Sequence, residues 1–128
     1  MLPEIACEWT METSGTTEQI AERLASCLVH EARARPQQAE GDWAVYAIGS
    51  RARFRTWGLV GPRAYRRLPI SVRTRQFLSD DGSPRVQVEL RNDEGPYAIR
   101  LPSVEIAYQQ AYSEIRHVIQ KAVGHGSA

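Results

Sequence analysis

The sequence predicts an α+β fold: an antiparallel sheet of about six strands in the order β-α-β5-α, with a long C-terminal amphipathic helix packed across it. Three observations lead there. Residues 5–12 alternate apolar and polar, and a helical stripe follows at 20–28. From Trp43 to Leu101 the pattern has period two, broken only by turns too short for the crossovers that parallel strands need. From Pro102 onward apolar residues recur at helical spacing for about 20 residues, roughly 30 Å of helix. A sheet with one apolar face must be covered, and this last helix is the obvious cover.

The first strand sets Ile5, Cys7, Trp9 and Met11 against Ala6, Glu8, Thr10 and Glu12. Such alternation marks a half-buried strand, and TSGT ends it. Thr16 and Gln19 fit a capping box, in which each side chain bonds the other's free backbone N–H. The helix they open carries Ile20, Leu24, Cys27 and Leu28 on one stripe, with Ala21 and Val29 beside it. Glu18, Glu22, Arg23 and Glu31 lie off the stripe. Pro36 and the polar run PQQAEGD end the element in a loop.

WAVYAI, 43–48, is β-rich and almost wholly apolar, which suits a central strand or one covered on both faces. Gly49–Ser50 reads as a hairpin turn. Residues 51–57 place Arg51, Arg53, Arg55 and Trp57 opposite Ala52, Phe54 and Thr56. GLVGPRAYRR, 58–67, contains Gly58, Gly61 and Pro62 and reads as a loop or a broken strand. Ile70, Val72, Thr74, Gln76 and Leu78 then oppose Ser71, Arg73, Arg75 and Phe77. SDDGSP is a hairpin connection. Val86, Val88 and Leu90 follow, against Arg85, Gln87, Glu89 and Arg91. NDEGP turns the chain again, and Tyr97, Ile99 and Leu101 oppose Ala98 and Arg100.

Pro102 and Ser103 open the last helix, with Glu105 near its positive dipole end. Val104, Ala107, Tyr108, Ala111, Tyr112, Ile115, Val118, Ile119 and Ala122 form its apolar stripe. Gln109, Gln110, Ser113, Glu114, Arg116, Gln120 and Lys121 lie opposite, and Gly124 is a natural stop. No repeat or linker divides the chain. Its 128 residues make one domain, 1–128, with an ordered core over about 5–123.

This succession of a leading strand, a helix, an antiparallel meander and one long C-terminal helix resembles the helix-grip fold of START-type lipid-transfer domains, Bet v 1-like plant proteins and polyketide cyclases. The likeness lies in element order across roughly 5–123 and rests on no motif. The chain departs from it with a single helical segment where two short helices are usual, and six strands where seven are usual. The resemblance implies a cavity between the C-terminal helix and the sheet, binding a small apolar or aromatic ligand. Trp9, Trp57, Tyr97, Tyr108 and Tyr112 are the candidate ligand-binding residues. Tyrosines on core-facing stripes need partners for their hydroxyls, so plain core packing is the competing reading for Tyr97, Tyr108 and Tyr112.

Chemistry-bearing patterns are sparse. His30, His117 and His125 are isolated, with no metal-ligand spacing. No G-x-S-x-G motif occurs, and no glycine-rich phosphate loop. Cys7 and Cys27 fall on apolar faces and read as buried free thiols. Asp80–Asp81 and Asp93–Glu94 sit in turns, where turn chemistry explains them. The expectation is therefore no catalytic residue, no metal and no cofactor.

The net charge is +1, so no global field draws the chain to DNA or membrane. The charge is segregated all the same. Residues 1–42 hold eight acids and three bases, 43–79 hold eight arginines and no acid, and 80–128 hold seven acids and five bases. Fifteen of the sixteen basic residues are arginine, which fits a GC-rich bacterial coding genome. Arg51, Arg53, Arg55, Arg73, Arg75, Arg85, Arg91 and Arg100 share the outer sheet face if their strands are neighbours. Glu8, Glu12 and Glu89 then lie among them and pair across strands. A solvated, cross-paired face is the leading expectation, and the sequence argues against nucleic acid as a partner. Arg63, Arg66 and Arg67, flanked by glycines, are the candidate anion or partner surface.

Three functions compete. The first is a small ligand-binding or carrier-type domain with an apolar cavity between C-terminal helix and sheet. The second is a protein-interaction or secretion-chaperone-like module that forms a homodimer or binds a protein partner. The third is a cyclase-like enzyme on an aromatic substrate, with Tyr108, Tyr112 and Arg100 orienting it. The segment MLPEIACEWTMETSG has no basic n-region and does not read as a signal peptide. No apolar run reaches the ~18 residues of a membrane span. The sequence therefore predicts a cytoplasmic protein.

Overall fold

The computed structural model describes residues 5–49, 68–93 and 102–124. Strand β1, Ala6–Glu12, leads into helix α1, Thr17–Ser26, which continues as one π-helical turn over Cys27–Glu31. Four strands follow: β2 Arg35–Pro36, β3 Ala44–Ile48, β4 Ile70–Leu78 and β5 Pro84–Asn92. Helix α2, Pro102–Val123, comes last. The fold is α+β: a five-stranded antiparallel sheet in the order β1-β5-β4-β3-β2, with a C-terminal helix. No helix of the described residues is long and apolar enough to cross a membrane.

Period-two alternation decides which face of the sheet is buried. Trp9 from β1, Val86, Val88 and Leu90 from β5, Ile70 and Val72 from β4, and Tyr46 and Ile48 from β3 all point to the inner face. Both helices close over it. From α1 and the π turn come Ile20, Leu24, Cys27 and Leu28, the four positions of the expected stripe. From α2 come Ala107, Tyr108, Ala111, Tyr112, Ile115 and Ile119, with Val104, Val118 and Ala122 half-buried at the margin. Val123, one position past the expected stripe, is buried too.

Local chemistry sets the element boundaries. Thr16 and Gln19 form the capping box, with Gln19 N–H donating to Thr16 Oγ1 at 3.2 Å and Thr16 N–H to Gln19 Oε1 at 3.0 Å. The SDDGSP segment closes the β4–β5 hairpin. There the Asp81 carboxylate accepts from Ser83 N–H at 3.0 Å, from Ser83 Oγ at 2.7 Å and from Ser79 Oγ. Gly82 takes φ 81°, a backbone region that favours glycine.

Two features differ from the sequence expectation. The stretch after α1 is not all loop: Arg35 and Pro36 pair with Ala47 and Tyr46, and Gln37 N–H donates to Val45 O at 2.8 Å. Proline is tolerated because β2 is an edge strand, where a missing N–H breaks no ladder bond. The β2–β3 connection is a tight hairpin. Glu40 and Trp43 exchange both backbone bonds at 3.0 Å, and Gly41 takes φ 60° at the first turn position, where type II′ hairpins place glycine. The second difference is that α1 ends in a π turn instead of a plain α-helical stop. The strands expected at 51–57 and 97–101, the Gly49–Ser50 turn and the 58–67 loop lie wholly or partly outside the described residues.

Helix α2 runs along β1 on the inner face. Tyr112 Oη donates to Ile5 O at 2.6 Å, the Arg116 guanidinium stands 5.1 Å from the Trp9 ring centre, and Gly124 bridges to Thr13. Helix α1 lies over the other half of the sheet, where Gln76 Nε2 donates to Thr17 O at 3.0 Å. The two helices therefore divide the inner face between them, and the candidate site lies under α1.

Candidate ligand-binding site

A cavity of about 340 Å³ opens between α1 and the inner face of β3 and β4. Ala21 and Leu24 from the helix and Ala44 from β3 are its apolar lining, and Asp42, Arg75 and Gln76 border it with charged and polar groups. Thr17, Ala21 and Leu24 reach it together because they stand at i, i+4 and i+7 on one helix face. Tyr46 and Thr74 supply polar groups from the sheet. Thr74 occupies an inward position of β4 in line with Ile70 and Val72, and Ala44↔Thr74 is a register pair of β3 and β4. Among the described residues neither the Tyr46 nor the Thr74 hydroxyl has a hydrogen-bond partner. Neither is among the buried unpaired side-chain atoms, so each meets solvent and can bond a guest there. Burial raises the Tyr46 phenol above its ordinary range, and the nearby Cys27 side chain adds to the rise. Tyr46 is thus a neutral donor at physiological pH. The cavity can hold a small molecule with an apolar body and one or two polar groups.

A second, more open depression of about 690 Å³ runs between α1, the π turn and the C-terminal end of α2. Glu22, Arg23, His30 and Glu31 line it, with Cys27 at its base. Burial pushes the Cys27 thiol up to about 11, with Glu31 contributing, so this cysteine is protonated and a poor nucleophile. Among the described residues no group of three or more His, Cys, Asp or Glu side chains is placed to hold a metal.

The outer sheet face carries the expected charged ladder. Arg73, Arg75, Arg85 and Arg91 stand there with Glu8, Glu12 and Glu89. Arg85 Nη2 meets Glu12 Oε1 at 3.2 Å, Arg91 Nη2 meets Glu89 Oε1 at 2.9 Å, and Gln87 bonds to Glu8. Arg73 Nη2 reaches Glu40 Oε2 at 2.9 Å. The guanidinium carbons of Arg73 and Arg75 each stand 4.9 Å from the Trp43 ring centre, within cation–π range.

Of the predicted ligand-binding residues, Trp9, Tyr108 and Tyr112 come together in the core between α2 and the sheet. The tyrosine rings are 5.8 Å apart, tilted at 53°. Their hydroxyls are engaged: Tyr108 donates to Pro69 O at 3.2 Å and Tyr112 to Ile5 O. The Trp9 indole N–H is buried without a partner among the described residues. Trp57, Tyr97, Arg63, Arg66 and Arg67 lie outside the described residues. The sequence reading passed over Tyr46, Thr74 and Ala21. The signal for them was present on β4, where the inward row changes from Ile70 and Val72 to Thr74 and Gln76. Two polar residues on a core-facing row mark a place where the interior stops being apolar. No protein-family model and no curated protein matches the chain.

Proposed function

We propose that the protein is a small ligand-binding domain whose site is the cavity between α1 and strands β3 and β4. The observation that carries this reading is the pair of inward hydroxyls, Tyr46 and Thr74, without hydrogen-bond partners among the described residues and beside the apolar Ala21, Leu24 and Ala44. A volume of about 340 Å³ lies at the lower end of the range of ligand pockets. The guest is a compact amphiphilic molecule, for example a phenol or a small aromatic acid, with its polar group on Tyr46 and Thr74.

The helix-grip resemblance supports a ligand-binding role, although it places the cavity under the C-terminal helix. The first strand closes on the last described strand, β2 stands at the far edge, and the helices cover one face. The ligand site then belongs under α1, because Tyr108 and Tyr112 spend their hydroxyls on backbone carbonyls beneath the C-terminal helix.

Native mass spectrometry of the purified chain, paired with NMR titration of phenol, benzoate and indole, tests this. Expected are shifts in the amides of 17–24, 44–46 and 74–76, and their loss in Ala21→Phe. Ala21 is exposed at the cavity wall, so the larger ring fills the space without displacing core residues. A bare native mass together with no fragment shifting these amides refutes the reading.

A further inference from the structure

The outer sheet face holds a cation that is positioned but, among the described residues, reaches no carboxylate. Arg75 Nε donates to Gln87 Oε1 at 2.7 Å, and Gln87 is itself tied to Glu8. The guanidinium carbon stands 4.9 Å from the Trp43 ring centre and 5.8 Å from that of Phe77. Two rings and an amide therefore hold the group in place. Its neighbours Arg73, Arg85 and Arg91 each reach a carboxylate. Among the described residues Arg75 reaches none. Its Nη edge is left as a preorganised fork, the geometry that receives a carboxylate or phosphate through two parallel hydrogen bonds.

We propose that this face docks an acidic segment of a partner protein, with one carboxylate seated on the Arg75 fork. Charge complementarity selects an anion, and two observations select a peptide over a nucleic acid. Trp43 is already stacked with Arg73 and Arg75, so it offers no free platform for a base. Glu8, Glu12, Glu40 and Glu89 are interspersed around the same face, and they repel a continuous polyanion while leaving room for a single carboxylate. Phe77, half-buried beside Arg75, gives an apolar neighbour of that carboxylate something to pack against. Arg75 also borders the α1 cavity; its guanidinium lies against Trp43 and Phe77, and Ala21→Phe, which fills the cavity and leaves that guanidinium in place, tells the two readings apart.

The test is an NMR titration of the full chain with the capped peptide Gly-Glu-Phe-Glu-Gly, its glutamine counterpart, and oligothymidylate. Expected are saturable shifts at Arg75 Nε and Trp43 Nε1 with the glutamate peptide only. Arg75→Gln should weaken binding at least about tenfold, the scale of losing one partner of a close charge pair. Arg75→Lys, which keeps the charge but not the fork, should fall in between and serves if the glutamine variant is unfolded. Absence of peptide shifts, equal binding by Arg75→Lys, or tighter binding of oligothymidylate overturns the proposal.

Discussion

At the scale of single residues, the tyrosines of α2 act as clamps. Tyr112 Oη donates to Ile5 O, which also accepts from Asn92 N–H at 3.1 Å. Tyr108 Oη donates to Pro69 O, which also accepts from Asp93 N–H at 2.8 Å. Each carbonyl keeps a backbone partner when the hydroxyl is removed, so no acceptor is orphaned. Tyr112→Phe should therefore cost about 1 kcal/mol, the net worth of one hydrogen bond, and not the larger cost of an unsatisfied buried group. Urea denaturation of the variant measures it, and a loss above about 3 kcal/mol would show that the hydroxyl holds more than this carbonyl. The burial of these tyrosines was legible from helical spacing alone. Their acceptors were not, because Ile5 and Pro69 are distant in sequence and neither residue type advertises a free carbonyl.

At the scale of elements, the hairpin between β4 and β5 rests on one carboxylate. Hydrogen bonds from Ser79 and then Ser83 hold Asp81 well below the ordinary carboxylate value of 3.8. A folded-state pKa below the unfolded one gives stability that is present above that ordinary value and is lost as pH falls through the depressed one. Asp81→Ala should lower the melting temperature at neutral pH, and the gap to the unaltered chain should close progressively in acid below about pH 4. A gap independent of pH would mean that the ionised carboxylate is not what holds the turn. SDDGSP announced this hairpin because Asp, Gly and Ser each favour turns for a local reason. Strand β2 announced nothing: two residues are too few to show alternation. The π turn was hidden for a different reason. Ile20, Leu24, Cys27 and Leu28 satisfy an α-helical stripe whether or not the last turn widens.

At the scale of the whole molecule, stability depends on β5, which pairs along its length with β1 on one side and β4 on the other. Leu90 is fully buried there. Leu90→Ala should cost about 2–5 kcal/mol, a large part of the roughly 5–15 kcal/mol that holds a domain together. Calorimetry of the variant checks this, and a loss near zero would mean that the core closes over the gap. The fold class was readable in the periods of the sequence, and so was the inner face of β1, β4 and β5; the near-continuous apolar run of β3 did not show that only Tyr46 and Ile48 are buried there. The strand order was not readable, since alternation says which side a strand buries but not which strand lies beside it. The candidate site was hidden by the same limit, because Ala21, Tyr46 and Thr74 meet only once α1 is laid over β3 and β4.

That strand order has a consequence for the chain as it is made. Ile5 and Tyr112, joined by one hydrogen bond, are 107 residues apart. At the usual pace of about 5–20 residues per second, the ribosome needs roughly 5–20 s to deliver the second after the first. Until residues 84–92 are made β1 has no β5 beside it, and until the last helix follows nothing covers the Trp9 side of the strand from above. Strand β1 is made well before the elements that shelter it, so its apolar side is where the nascent chain is most exposed to aggregation and most in need of a chaperone.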